Sequence, residues 1–255
     1  MPATSSLTRR WSEGATAFGV WCSLPSPATA ELFSLSGFDY VCIDTQHGLV
    51  GPDALWPMLQ AAARTDATLL VRVSANDPAA IGRALDAGAG GVIVPLVESS
   101  AEAASAAAAC RFPPTGRRSF GTVRANAFQP IDPAVANDTV VCIVMIETVA
   151  GVEHADEICA TGGVDAVYIG PSDLAISMGE SPTSTSANHA AALAAVLRAG
   201  ERHGTPVGIH ASAGEAARRY SAQGFRMCTV TSDVALLKRG AVAELTAARA
   251  TGAAP

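Results

Sequence analysis

The sequence predicts a single closed (β/α)8 TIM barrel. Three observations carry that expectation. The chain has 255 residues, close to the usual size of such a barrel and enough to bury its own core. Short apolar runs alternate with helix-like, alanine-rich segments, which is the pattern of a parallel sheet with helices outside it. No GxGxxG follows the first strand, so the dinucleotide-binding version of an open doubly wound sheet is disfavoured. One barrel domain is expected over 1–255, with 1–15 as a flexible N-terminal segment.

Residues 17–23 (AFGVWCS) read as the first strand, and a helix over 25–35 ends near Gly37. The second strand, 40–44 (YVCID), is a β-branched, apolar run that stops at Asp44, His47 and Gly48. A helix over 53–64 follows, with Asp53 as its expected N-cap. The third strand is 68–73 (TLLVRV). Asn76, Asp77 and Pro78 then open a helix to Asp86, the proline suiting its first turn. The fourth strand is 90–95 (GGVIVP), followed by a helix over 100–110. Residues 111–138 read as one long irregular stretch with Arg111, Arg117, Arg118 and Arg124; loops of that length usually serve function or assembly. The fifth strand, 140–146 (VVCIVMI), runs straight into Glu147. A helix over 152–160 leads to the sixth strand, 165–170 (DAVYIG), and then to Pro171, Ser172 and Asp173. After a polar loop, a helix over 190–203, a strand over 206–210 (PVGIH), a helix over 213–223, a strand over 226–230 (RMCTV) and a helix over 233–250 complete eight units.

Composition narrows the function. Residues of hydrophobic type make up 49% of the chain, yet no run reaches the ~18 apolar residues of a membrane span. The N-terminus has no apolar signal region, so no secretory signal is expected. A net charge of -6 disfavours a nucleic-acid partner, which needs a basic face. The 6 cysteines form no CxxC pair and read as small buried hydrophobes in a reducing cytoplasm.

Position then singles out chemistry. Trp21, Asp44, His47, Arg72, Glu147, Asp173 and His210 all fall at or just past strand carboxyl ends, the catalytic face of a barrel. Glu147 and Asp173, from neighbouring strands, could share a hard divalent cation such as Mg²⁺, Mn²⁺ or Co²⁺. The alternatives are an arginine partner for Glu147 and an N-cap role for Asp173. Arg72 could hold a substrate carboxylate bidentately, or simply pair within the rim. Asp44 could fix the tautomer of His47 and keep it basic. His154, His189 and His203 read as solvated. The chain has a single lysine, Lys238, on the last helix, which disfavours Schiff-base chemistry on a strand. Carbanion chemistry here would need a metal as electron sink.

Several motifs in order carry a resemblance: FDYVCIDTQHG, LVRV followed by NDP, LDAGAGGVIVP, PPTGRR, MIET and VYIGPSDLA. Over about residues 19–239 the chain resembles the HpcH/HpaI aldolases, metal-dependent class II pyruvate aldolases of the phosphoenolpyruvate/pyruvate-binding barrel superfamily. The resemblance implies Glu147 and Asp173 as metal ligands and Arg72 as the pyruvate holder. It implies His47 as catalytic base, with Asp44 and then Asp86 as supporting acids, and the backbone around Ser172 and Asp173 as a carboxylate site. Trp21 joins the substrate-binding set. It also implies a homo-oligomer, commonly a hexamer built as a trimer of dimers, with the 111–128 loop reaching a subunit contact. Two positions depart from the family pattern: Met145 stands where a glutamine is common, and Ser119 replaces the last glycine of the loop motif. The implied reaction is reversible cleavage of a 4-hydroxy-2-oxo acid to pyruvate, or a close 2-oxo acid, and an aldehyde. The alternatives are a citrate-lyase-like acyl-CoA lyase, with the basic loop holding CoA, and a non-catalytic 2-oxo-acid-binding homologue.

Overall fold

In the computed structural model, which describes residues 6–121, 123 and 131–250, eight parallel strands close into a barrel in sequence order. They are β1 (Ala17–Cys22), β2 (Tyr40–Asp44), β3 (Thr68–Arg72), β4 (Gly91–Val94), β5 (Val141–Ile146), β6 (Ala166–Ile169), β7 (Val207–His210) and β8 (Met227–Ser232). β8 returns to pair with β1, with a register shift at Gly19/Val20. The helices are α1 (Ser6–Ser12), α2 (Pro27–Leu35), α3 (Pro52–Ala62), α4 (Pro78–Asp86), α5 (Ser100–Cys110), α6 (Pro133–Thr139), α7 (Val149–Glu153), α8 (Ala155–Cys159), α9 (Pro171–Ser177), α10 (Ala187–His203), α11 (Gly214–Ala222) and α12 (Asp233–Arg249).

Side chains alternate across each strand, so every second residue faces the barrel interior. Tyr40, Cys42, Leu70, Ile93, Ile143, Met145, Tyr168 and Met227 form that interior cluster, and the residues between them face the helices. Two tyrosine rings fill the centre because their neighbours are small: a Cβ on Gly19 would overlap the Tyr40 ring, and one on Gly208 the Tyr168 ring. All six cysteines are buried free thiols. No helix of the described residues is long and apolar enough to cross a membrane.

Four expectations change. Part of the expected flexible segment is ordered: α1 buries Leu7 in the barrel interior, and Trp11 Nε1 donates to the Arg226 carbonyl at 3.0 Å. The expected 111–138 loop contains α6, capped by Asp132 on the Ala134 N–H; Arg124 and the rest of 124–130 lie outside the described residues. Asp53 is in the first turn of α3, whose N-cap is Gly51. His189 is buried rather than solvated, with Nε2 2.9 Å from the Pro171 carbonyl, so α10 braces the start of α9.

Candidate active site

The alternation that fills the barrel also builds its rim. Tyr40 and Cys42 face inward, so Asp44 does too; Leu70 sets Arg72, and Met145 sets Glu147. Trp21 belongs to the same interior cluster. These side chains converge above the tyrosine layer because each sits an even number of residues beyond an inward one.

Asp44 and Arg72 are register partners on β2 and β3. Arg72 donates from Nε to Asp44 Oδ1 at 2.9 Å and from Nη2 to Oδ2 at 2.6 Å. Asp44 Oδ1 also accepts the backbone N–H groups of Gln46 and His47, at 3.0 and 3.3 Å. The turn is tight enough that a Cβ on Gly48 would overlap the Asp44 carbonyl. The expected contact from Asp44 to the His47 imidazole is therefore not made: the carboxylate is occupied by a guanidinium and by the turn's own N–H groups. Asp44 orients Arg72 directly and His47 only through the backbone. The His47 side chain is exposed at the rim. Burial pushes the Asp44 carboxyl up, but the hydrogen bonds and charge of Arg72 outweigh it, and its pKa lies below the ordinary value. The Arg72 guanidinium also lies over Trp21, 5.2 Å from the ring centroid.

Glu147 is 2% exposed and accepts the Leu96 N–H on Oε1 at 2.9 Å. A Cβ on Gly170 would fall 2.5 Å from Oε2, so a side chain there would displace this carboxylate. Burial raises the Glu147 pKa; the Leu96 N–H opposes this and the charge of Asp173 adds to it. Asp173 is exposed in the first turn of α9 beside Ser172. It is not a helix cap, because Gly170 holds that position and no side chain caps the helix.

The donor set suits a hard cation. Two carboxylates repel each other across neighbouring strand ends, and Oε2 of Glu147 accepts no hydrogen bond among the described residues. No cluster of three or more His, Cys, Asp or Glu occurs among the described residues, so water and substrate oxygens would have to complete the shell.

His210 forms the far wall. Its ring stands edge-on to Trp21, with centroids 5.1 Å apart, and its Nδ1 is 3.5 Å from the Tyr168 hydroxyl. Tyr168 in turn bonds Thr229, which bonds Tyr40 at 2.9 Å, so a hydroxyl chain runs from the rim into the barrel. Burial, then the charge of Arg72, pushes the His210 pKa down to about 4. Sequence position found His210, but Tyr168, Thr229, Leu96 and Gly170 gave no polar signal at a strand end.

Asp86 is not with this group in the chain. Helices run back against the strands, so the carboxyl end of α4 lies at the opposite, N-terminal face. There Asp86 pairs with Arg118 at 2.8 Å and lines a cavity of about 620 Å³ with Thr68, Gly90 and Val140, all near strand starts. Arg111 is at the same face, bonding the Gly163 carbonyl at 2.6 Å and Asp165 at 3.0 Å.

Comparison with known proteins places the fold in a family. The family model for HpcH/HpaI aldolase/citrate lyase matches residues 17–239. A 5-keto-4-deoxy-D-glucarate aldolase from Salmonella arizonae is 36% identical over 225 residues, covering 87% of this chain and 88% of that one. A hydroxypyruvate/pyruvate aldolase from Rhizorhabdus wittichii is 38% identical over 243 residues, covering 94% and 97%. The crystal structure of an HpcH/HpaI aldolase/citrate lyase family protein from Burkholderia cenocepacia superposes with a TM-score of 0.92 at 36% identity, covering 97% of this chain and 100% of that one. The chain belongs to the HpcH/HpaI aldolase/citrate lyase family, and within it stands with the aldolases.

Proposed function

We propose that this chain reversibly cleaves a 4-hydroxy-2-oxo acid into pyruvate, or a close 2-oxo acid, and an aldehyde, with Glu147 and Asp173 holding a divalent cation. One observation carries the reading: Arg72, fixed edge-on by Asp44, shares the rim with two carboxylates, Glu147 and Asp173, that form no ion pair among the described residues. The side-on pairing occupies Nε and one Nη2 hydrogen, leaving the Nη1 edge of Arg72 to take an anionic substrate.

Mg²⁺, Mn²⁺ or Co²⁺ bound there would supply positive charge against the developing enolate. Arg72 and the N–H groups around Ser172 and Asp173 orient the 2-oxo acid by its carboxylate. His47, exposed on the β2 turn, removes the proton of the 4-hydroxyl. The C3–C4 bond then breaks, its electrons pass into the enolate of the 2-oxo acid, and the aldehyde leaves. Protonation at C3 completes pyruvate. Trp21 walls the 2-oxo-acid side and shields the Arg72 charge from water.

A homo-oligomer belongs to this reading. Asp86, paired with Arg118, enters the chemistry only through a contact between copies, since within one chain both residues lie at the other face. Support comes from α12, where Leu237, Val242 and Leu245 are at least half exposed on a helix whose one buried residue is Asp233. The acyl-CoA alternative draws less support. Among the described residues of the basic loop, Arg111 is held by Gly163 and Asp165, Arg117 bonds Ser105 and Arg118 pairs with Asp86.

Proton exchange at the pyruvate methyl group, followed by NMR in D₂O, tests the proposal without a choice of aldehyde. Protein stripped with EDTA should not exchange, and refilling with Mg²⁺, Mn²⁺ or Co²⁺ should restore exchange. Exchange indifferent to metal, or lost by no substitution at Glu147 or Asp173, would overturn it. His47→Ala should lower aldol cleavage by about 10²–10⁴-fold while pyruvate still binds.

A further inference from the structure

Leu96 is the one non-glycine residue with a left-handed backbone among the described residues, at φ 54°. Such a conformation is unfavourable for a leucine and persists only where its surroundings hold it. The leucine side chain does not hold it, because it is 54% exposed. The backbone does. Leu96 N–H donates to Glu147 Oε1 at 2.9 Å, and the next N–H, of Val97, donates to the Met145 carbonyl at 3.0 Å. In an extended strand, consecutive N–H groups point to opposite sides. A left-handed residue turns two successive N–H groups toward one side, here the end of β5.

We propose that Leu96 is a positioning residue whose left-handed backbone aims an N–H at Glu147 and thereby selects Oε2 as the oxygen offered to a cation. Glu147 is clamped from both sides. The β4 loop fixes Oε1, and Gly170 on the β6 side leaves just enough room for Oε2. With one oxygen committed, the carboxylate meets a cation in a single preset orientation, so little rearrangement accompanies binding. The inference rests on the reading of Glu147 as a ligand, and its test separates the two.

The test uses backbone preference alone. Glycine adopts this conformation freely and asparagine tolerates it, whereas β-branched valine opposes it. Mn²⁺ affinity of the EDTA-stripped protein, measured by electron paramagnetic resonance, should be kept within about threefold in Leu96→Gly and Leu96→Asn and weakened about tenfold in Leu96→Val. The rival explanation is that the turn serves only to bury Val97, which is fully buried. It predicts that Leu96→Val lowers the melting temperature with Mn²⁺ affinity intact, and that result overturns the proposal. Amide exchange at Leu96 in the metal-free protein decides the positioning step independently of any cation. The Leu96 N–H should exchange slowly in the parent and fast in Glu147→Ala; equal rates overturn the proposal. If Mn²⁺ affinity is instead the same in the parent and Glu147→Ala, the ligand reading fails, while the amide exchange still decides whether Leu96 positions the carboxylate.

Discussion

Arg72 meets Asp44 edge-on, two N–H groups against two oxygens, with the arginine 9% and the aspartate 2% exposed. The pair is thus a buried fork that spends one edge of the guanidinium on the protein. Removing Asp44 leaves a buried cation without its partner, which typically costs about 3 kcal/mol. Asp44→Ala should therefore lower stability by about that much, and raise the KM for the 2-oxo acid because Arg72 is no longer aimed. Adding Arg72→Met should recover part of the stability and none of the activity. A single variant as stable as the parent would show that the pair is not what holds Arg72. The pair also sets an acid limit. The Asp44 pKa is depressed in the folded state, so its contribution is complete above the ordinary carboxylate range and lost as pH falls through the folded value.

Glu147 has the opposite sign. Burial raises its pKa, so the folded state holds this proton more tightly than the unfolded chain, and the ionised carboxylate weakens the fold above that value. Glu147→Gln keeps an oxygen for the Leu96 N–H and removes the charge. It should stabilise the metal-free protein by on the order of 1 kcal/mol at pH 7 while abolishing Mn²⁺ binding. Thermal unfolding of both proteins in EDTA checks this, and a destabilised variant would show that the charge is better solvated than its burial implies.

The barrel was legible because strand alternation and length are local properties, and Asp44, Arg72, Glu147 and His210 follow from strand ends by parity. What was not legible depended on partners. Nothing local says that Asp44 prefers Arg72 to the His47 ring, since that choice is made by register across two strands. Nothing local makes Leu96 left-handed; its N–H and that of Val97 meet acceptors at the end of β5, the Glu147 carboxylate and the Met145 carbonyl. His189 reads as solvated from the sequence, and only the packing of α9 brings the Pro171 carbonyl to it. Asp86 lies at the opposite face within one chain because helix direction, not motif, decides where a helix end lies.

His210 gives a pH dependence of its own. Burial first, and then the charge of Arg72, bring its pKa to about 4, against 6.5 for a free imidazole. Between those values the unfolded chain binds a proton that the folded one does not. Stability should therefore fall as pH drops through this window, by up to about 1.4 kcal/mol per pH unit. His210→Gln removes that titration and retains an amide for the Tyr168 hydroxyl. Urea unfolding of parent and variant at pH 7, 6 and 5 should show a flatter profile for the variant. Parallel profiles would mean that the imidazole titrates much as it does in water.

Met145 is 2% exposed, and its Cε lies 3.2 Å from the point where a Gly170 Cβ would stand, the same point that is 2.5 Å from Glu147 Oε2. The Met145 side chain therefore borders the same gap as Glu147 Oε2. A thioether accepts only weakly and donates nothing, so it leaves Oε2 without help against burial. Met145→Gln brings an NH₂ group to the same place in a side chain of similar length. An N–H on the ionised carboxylate favours that form, so the raised Glu147 pKa should come down. Protons and Mn²⁺ compete for Glu147, and the pH at which Mn²⁺ binding is half lost should move down with it. Binding titrations between pH 7 and pH 5 read the shift directly. A lower edge with unchanged affinity at pH 7 isolates the effect on the proton. An unmoved edge would show that the new amide turns away from Glu147, and that the methionine there fills space and does not tune the carboxylate.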